Sequence, residues 1–156
     1  MQLTQKEQLL LKDLKEHEQT CVEKYNKYAA EAHDPQLQVL FSQISQKEQQ
    51  HLNSINQIAG GAVPSVQSGG GSQSSQMQLS FTPTYASGSN DPNQKADSFL
   101  CTDLLSTEKH VSSLYDTCIF EFKDTNIRKV LNHIQKEEQE HGEMIYNYMA
   151  QNGMYS

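Results

Sequence analysis

The sequence predicts an all-α protein, a four-helix bundle built from two repeated helical hairpins joined by a long crossover. Residues 9–57 align without a gap with residues 99–147, and 12 of the 49 aligned pairs are identical. Average residue usage would give about 3 identities by chance, so an internal duplication is indicated. Residues 60–97, between the two copies, contain six of the eight glycines and three of the four prolines. This composition excludes a helix interior there.

We therefore predict a single domain over residues 1–156. Its parts are a first hairpin at 4–59, a crossover at 60–97 and a second hairpin at 98–150. Such a long connection exceeds the two to eight residues usual between antiparallel helices, so the second and third helices should run parallel. Apolar residues alternate with polar ones within the crossover, which predicts an extended segment on a surface: Met77, Leu79, Phe81 and Tyr85.

The helix ends have recognisable signals. Thr4 begins a capping box, and the first helix is predicted over about 4–32. Asp34 followed by Pro35 indicates an N-cap with proline at the first helical position, so the second helix should run from Pro35 to about Ile58. The repeat then predicts that Asp124 caps the fourth helix and that the third helix ends just before it.

Acidic residues and histidines interrupt the apolar stripes of all four predicted helices. The first and third helices each place one glutamate on the core-facing stripe, and the second and fourth each place a Glu-x-x-His motif there. These candidate metal ligands are Glu18, Glu48, His51, Glu108, Glu138 and His141. At about 1.5 Å per residue, all six lie roughly 24 Å from the hairpin turns, so they should converge in one layer.

Four buried carboxylates need compensation, because uncompensated burial costs several kcal/mol each. Two divalent cations would supply four positive charges, with both histidines neutral as ligands. One Glu from each of two helices and Glu-x-x-His from each of the others is the ligand set of di-iron and di-manganese bundles. The alternative is a former metal site whose residues now form a hydrogen-bonded polar network.

Other polar residues have weaker patterns. Tyr25 and Tyr115 lie seven residues after the first-helix and third-helix glutamates, on the same stripes, and their hydroxyls could reach the ligand layer. Core packing and a role in supporting the ligands or trapping a radical are both open for them. The remaining histidines fall off the stripes and are expected on the surface: His17, His33, His110 and His133. The three cysteines lack C-x-x-C spacing and should be reduced and buried.

Composition limits the classes of partner. Lys and Arg number 12 against 19 Asp and Glu, giving a formal charge of −7. An acidic chain without basic runs is not expected to bind nucleic acid or an anionic membrane. The longest aliphatic run, from Leu9 to Leu11, is far shorter than the roughly 20 residues of a membrane span, so an intracellular, soluble protein is expected.

The pattern of two Glu…Glu-x-x-His half-sites resembles the ferritin-like superfamily of four-helix bundles. The second half resembles the Coat F family of bacterial spore coat proteins more closely, through Asp103-Leu104-Leu105 and the aromatic, Met-containing ending that runs from Tyr146 to Tyr155. The Coat F resemblance implies deposition in the spore coat, with coat proteins or further copies of the chain as partners.

The expected cofactors are two divalent transition metal ions, iron or manganese, which favour mixed nitrogen and oxygen ligands. Such a centre would react with O₂ or peroxide, so ferrous oxidation or peroxide reduction are the candidate activities. A purely structural coat protein with a metal-free site is the alternative function.

Overall fold

The computed structural model describes residues 2–66 and 80–155, and within these ranges all regular structure is helical. The helices are α1 (Gln5–Glu31), α2 (Pro35–Ala59), α3 (Pro92–Glu121) and α4 (Thr125–Gln151). α1 packs along α2 and α3 packs along α4, so the predicted bundle of two hairpins is confirmed. No helix in the described ranges combines the length and apolar character needed to cross a membrane.

The N-termini of three helices are capped as predicted. Thr4 and Glu7 form a complete capping box, and the side chains of Asp34 and Asp124 accept backbone N–H groups at the starts of α2 and α4. These bonds satisfy donors that have no partner within the helix. Each helix therefore begins within one residue of its predicted start where a cap was identified.

The start of α3 differs from the prediction. The helix begins at Pro92, six residues before the predicted hairpin start at 98, because the Asp91 side chain accepts the backbone N–H of Asn93 and forms an N-cap. The Asp91-Pro92 pair repeats the Asp-Pro signal at the start of α2. The connection between α2 and α3 is correspondingly shorter than the predicted range 60–97.

Contacts between α1 and α3 establish the direction of the helices. Near the start of α1, Glu7 Oε1 accepts the backbone N–H of Lys123, just beyond the end of α3, at 3.1 Å. Near the end of α1, the Tyr28 hydroxyl donates to Asp103, in the first half of α3, at 2.6 Å. α1 and α3 are therefore antiparallel, and since each hairpin is also antiparallel, α2 and α3 run parallel, as predicted.

The second part of the crossover packs on the end of the bundle where α3 begins. Phe81 and Tyr85 are buried, and the Phe81 ring meets the Tyr148 ring edge to face with centroids 5.3 Å apart. The backbone N–H groups of Thr84 and Tyr85 donate to the Asn152 side chain, which ties the segment to the end of α4. Met77 and Leu79 lie outside the described residues.

Asp97 joins three segments at this end of the bundle. Its fully buried carboxylate accepts the backbone N–H groups of His33 and Asp34 at 2.8 and 3.0 Å, and the Tyr85 hydroxyl at 2.8 Å. The turn between α1 and α2, the crossover and α3 are thus held by one side chain. Removing this carboxylate would leave several buried donors without an acceptor, and each such donor lowers the stability of the fold.

We predict that Asp97→Ala lowers the free energy of unfolding by about 2–4 kcal/mol, because it leaves two backbone N–H groups and one hydroxyl without their acceptor. Urea unfolding followed by circular dichroism measures this change. Asp116→Ala, on the exposed surface of α3, is the matched control and should stay within about 0.5 kcal/mol of wild type. Equal stability of the two variants would contradict the role of Asp97.

Candidate metal centre

The amphipathic pattern of each helix forces six polar side chains into the interior. Glu18 lies one turn from Leu14 and Cys21 on α1, and both of these neighbours are core residues. Burial of the apolar stripe therefore buries the glutamate with it. The equivalent argument holds on the other helices, and each of the six side chains is at most 3% exposed: Glu18, Glu48, His51, Glu108, Glu138 and His141.

The six side chains form two overlapping groups, each compact enough to hold a metal ion. The first comprises Glu18, Glu48, His51 and Glu138, and the second comprises Glu48, Glu108, Glu138 and His141. Within each group, one ligand atom from every residue lies within 4.8 Å of the others. Glu48 and Glu138 belong to both groups, whereas each remaining glutamate and histidine belongs to one.

The histidines turn the same nitrogen toward the shared carboxylates. His51 Nδ1 lies 2.7 Å from Glu138 Oε1 and 3.1 Å from Glu48 Oε2. His141 Nδ1 lies 2.9 Å from Glu48 Oε1 and 3.5 Å from Glu108 Oε1. The two imidazole rings are stacked, with centroids 5.7 Å apart. Both Nδ1 atoms therefore face the centre of the layer, and both Nε2 atoms face away from it.

Burial and charge redistribute protons within the layer. Burial, reinforced by the neighbouring carboxylates, raises the pKa of Glu18 and Glu108 well above 4.5. Burial acts in the same direction on Glu48, but hydrogen bonds from the two histidines outweigh it and hold the pKa of Glu48 well below 4.5. Burial opposes charge on His51 and His141, yet their carboxylate contacts raise the pKa of both imidazoles well above 6.5.

Several buried side-chain atoms of these six residues have no hydrogen-bond partner. Three are carboxylate oxygens, Glu18 Oε2, Glu108 Oε2 and Glu138 Oε2, and two are the outward-facing Nε2 atoms of His51 and His141. Buried polar atoms without partners are rare in proteins and each costs about 1–3 kcal/mol. Unpartnered carboxylate oxygens beside imidazole nitrogens are the donor atoms that divalent transition metals use, so the residues fit a pair of such ions.

Tyr25 and Tyr115 support the two unshared glutamates across the hairpins. The Tyr25 hydroxyl, on α1, donates to Glu108 Oε1, on α3, at 2.5 Å. The Tyr115 hydroxyl, on α3, donates to Glu18 Oε1, on α1, in the reciprocal hydrogen bond. Both phenols are fully buried. Each hairpin therefore positions a carboxylate that belongs to the other.

One charged side chain beside the layer, Glu137, was not predicted from the sequence. Glu137, on α4, forms an ion pair with Lys47, on α2, at 3.0 Å, and also contacts His51. Lys47 and Glu137 occupy equivalent positions in the duplicated halves. Their opposite charges are the feature of the sequence from which this ion pair could have been predicted. Among the other histidines, His133 contacts Glu137 at 2.9 Å but is 44% exposed and lies outside both groups. The three cysteines are buried and free, as expected.

Comparison with known families identifies the second half of the chain. Residues 96–156 match the Coat F domain, so the resemblance inferred from the sequence is confirmed over that range. The match covers most of α3, all of α4 and three of the six site residues: Glu108, Glu138 and His141. Comparisons with curated proteins and with solved structures gave no significant match.

We predict that the chain in chelator loses stability as the pH rises from about 5 to 8. Glu18 and Glu108 have folded pKa values above their unfolded value of 4.5, so the folded state binds more protons above that pH. The raised pKa values of His51 and His141 act in the same direction, since their contribution is lost as pH rises through the folded pKa. Urea unfolding at a series of pH values measures the slope.

Glu108→Gln should make this slope shallower, because the amide does not titrate. Glu140→Gln, at an exposed position of α4, should leave the slope unchanged. A stability that stays constant or rises between about pH 5 and 8 would contradict the proton distribution derived for the layer.

Proposed function

We propose that this chain, whose second half carries the Coat F domain, is a spore-coat-type protein of ferritin-like architecture that binds two iron or manganese ions. The observation that carries this proposal is the pair of overlapping ligand groups that share Glu48 and Glu138. Two adjacent positions with two common carboxylates fit two ions better than one. The four carboxylates also match the charge of two divalent ions when both imidazoles are neutral.

Each residue has a defined place in this proposal. Glu18 and His51 would hold one ion, Glu108 and His141 would hold the other, and the shared glutamates Glu48 and Glu138 would be available to both. The histidines bind through Nδ1, the nitrogen that faces the shared carboxylates. The metal-free layer holds protons on the carboxyl and imidazole groups whose pKa is raised, and metal binding would release these protons. Metal affinity should therefore fall at low pH.

The activity supported by this ligand set is redox chemistry with O₂ or peroxide. Two redox-active metal ions, if bound, would supply one electron each, which together with two protons is what reduction of one hydrogen peroxide to two waters requires. The chain contributes a dry, preorganised layer, since all six ligands and both tyrosines are buried. Tyr25 and Tyr115 hold the unshared carboxylates in position and keep protons on their hydroxyls, because burial raises the pKa of both.

The alternative function is a structural coat protein without metal. The Coat F match favours a coat role irrespective of the site. Phe99 and Phe120 are 68% and 85% exposed on α3, and they offer apolar surface for coat proteins or a second copy of the chain. In this alternative, the protonated carboxyls and the charged imidazoles form a hydrogen-bonded polar network in place of a metal centre.

Metal content distinguishes these functions. The wild-type chain, produced with iron or manganese and dialysed, should contain about two ions per chain by elemental analysis, one for each ligand group. Glu18→Ala combined with Glu108→Ala should lose most of this metal, because each position loses its unshared carboxylate.

The matched control combines Glu16→Ala with Glu140→Ala, at exposed positions of α1 and α4. This control should retain the wild-type metal content. A metal-free wild-type chain whose stability does not change in chelator would favour the structural alternative. Activity assays test the redox proposal. The metal-loaded wild type should accelerate ferrous oxidation or peroxide loss, and the variant that combines Glu18→Ala with Glu108→Ala should not.

The coat assignment has a separate test. A fluorescent fusion expressed from its own promoter in a sporulating host should accumulate on the developing spore, since the Coat F domain lies in the second hairpin. A fusion of the first hairpin alone is the control for signal caused by the tag. Uniform signal during vegetative growth, with none associated with the coat, would contradict the assignment.

A further inference from the structure

Glu137 lies between the protein surface and the buried ligand His51. Its Oε1 atom lies 3.4 Å from His51 Nε2 and 2.9 Å from His133 Nε2, and its Oε2 atom lies 3.0 Å from Lys47 Nζ. The Glu137 side chain is 15% exposed, compared with 3% for His51. A carboxylate therefore faces the outer nitrogen of one of the two ligand histidines.

The orientation of His51 determines which nitrogen this carboxylate meets. Nδ1 faces Glu48 and Glu138 in the layer, so a metal there leaves the imidazole proton on Nε2. Glu137 Oε1 is then the adjacent acceptor for that proton. Lys47 Nζ lies 3.0 Å from Glu137 Oε2, so a positive charge compensates this carboxylate on the side away from His51.

The other half of the duplicated chain lacks this carboxylate. Lys47 occupies the position equivalent to Glu137, so the residue that precedes the glutamate of the Glu-x-x-His motif is basic in α2 and acidic in α4. Neither Nε2 atom has a hydrogen bond of good geometry, but His51 Nε2 faces Glu137 Oε1 at 3.4 Å, whereas among the described residues the carboxylates beside His141 all face its Nδ1. The two imidazoles therefore differ in their outer contacts although their inner contacts are alike.

We propose that Glu137 is a positioning residue for His51 and makes the metal position of Glu18 and His51 bind more tightly than that of Glu108 and His141. A carboxylate acceptor holds the ring orientation and makes the metal-facing nitrogen more basic. Other ligands contribute equally to the two positions, because the bridging glutamates are shared and each unshared glutamate accepts one tyrosine hydroxyl. The inference rests on the proposed function, since it requires a metal centre.

Titration of the metal-free full-length chain with Mn²⁺ tests this inference. Calorimetry of the wild type should resolve two steps, with dissociation constants at least tenfold apart. Electron paramagnetic resonance should show isolated Mn²⁺ after one equivalent and a coupled pair after two. Glu137→Gln should weaken the tighter step by about 10–100-fold and leave the weaker step within about a factor of two.

Matched variants assign the tighter step to one position. His141→Ala should retain it, His51→Ala should lose it, and Glu140→Gln, exposed on the same helix, should bind Mn²⁺ like the wild type. Two equal steps in the wild type, or equal weakening of both steps by Glu137→Gln, would overturn the inference while leaving the metal centre intact. A wild-type chain that binds no Mn²⁺ would overturn the proposed centre and this inference with it.

Discussion

Mutual repulsion among four buried glutamates is the constraint to which the rest of the interior is adapted. The apolar stripes of the helices carry these carboxylates into a core that excludes water, where charge is costly. Two imidazoles, two phenols and the protons of Glu18 and Glu108 offset part of that cost. The ligand oxygens that still lack partners explain why a pair of cations suits this layer.

Duplication accounts for the paired form of the centre. Each hairpin supplies one isolated glutamate and one Glu-x-x-His motif, and each supplies a tyrosine that supports the glutamate of the other hairpin. The antiparallel contact between α1 and α3 brings these reciprocal pairs into register. A single hairpin could not form either ligand group, since both groups draw residues from both halves. The difference between Lys47 and Glu137 shows where the halves have diverged around a common inner layer.

Local patterns were sufficient to predict the helices and the convergence of six polar side chains in one buried layer, because burial of neighbours such as Leu14 carries the polar residue of the same stripe inward. The start of α3 was missed although Asp91-Pro92 repeats an identified cap, since the surrounding glycines and prolines indicated a loop. The roles of Asp97 and Glu137 were not predictable in this way. Their partners lie on other segments, so their contacts depend on how the crossover docks and how α2 and α4 face each other.

Diffraction from crystals of the Mn²⁺-loaded chain, recorded on both sides of the manganese absorption edge, shows directly whether the polar layer holds two ions. We expect two anomalous peaks about 3.5–4 Å apart in the polar layer, with Glu48 and Glu138 each contacting both ions. The two unshared ligands of each ion should come from the same half of the duplicated chain, Glu18 with His51 for one ion and Glu108 with His141 for the other. A layer without anomalous density, in which the six side chains keep their hydrogen bonds to one another, would contradict this expectation.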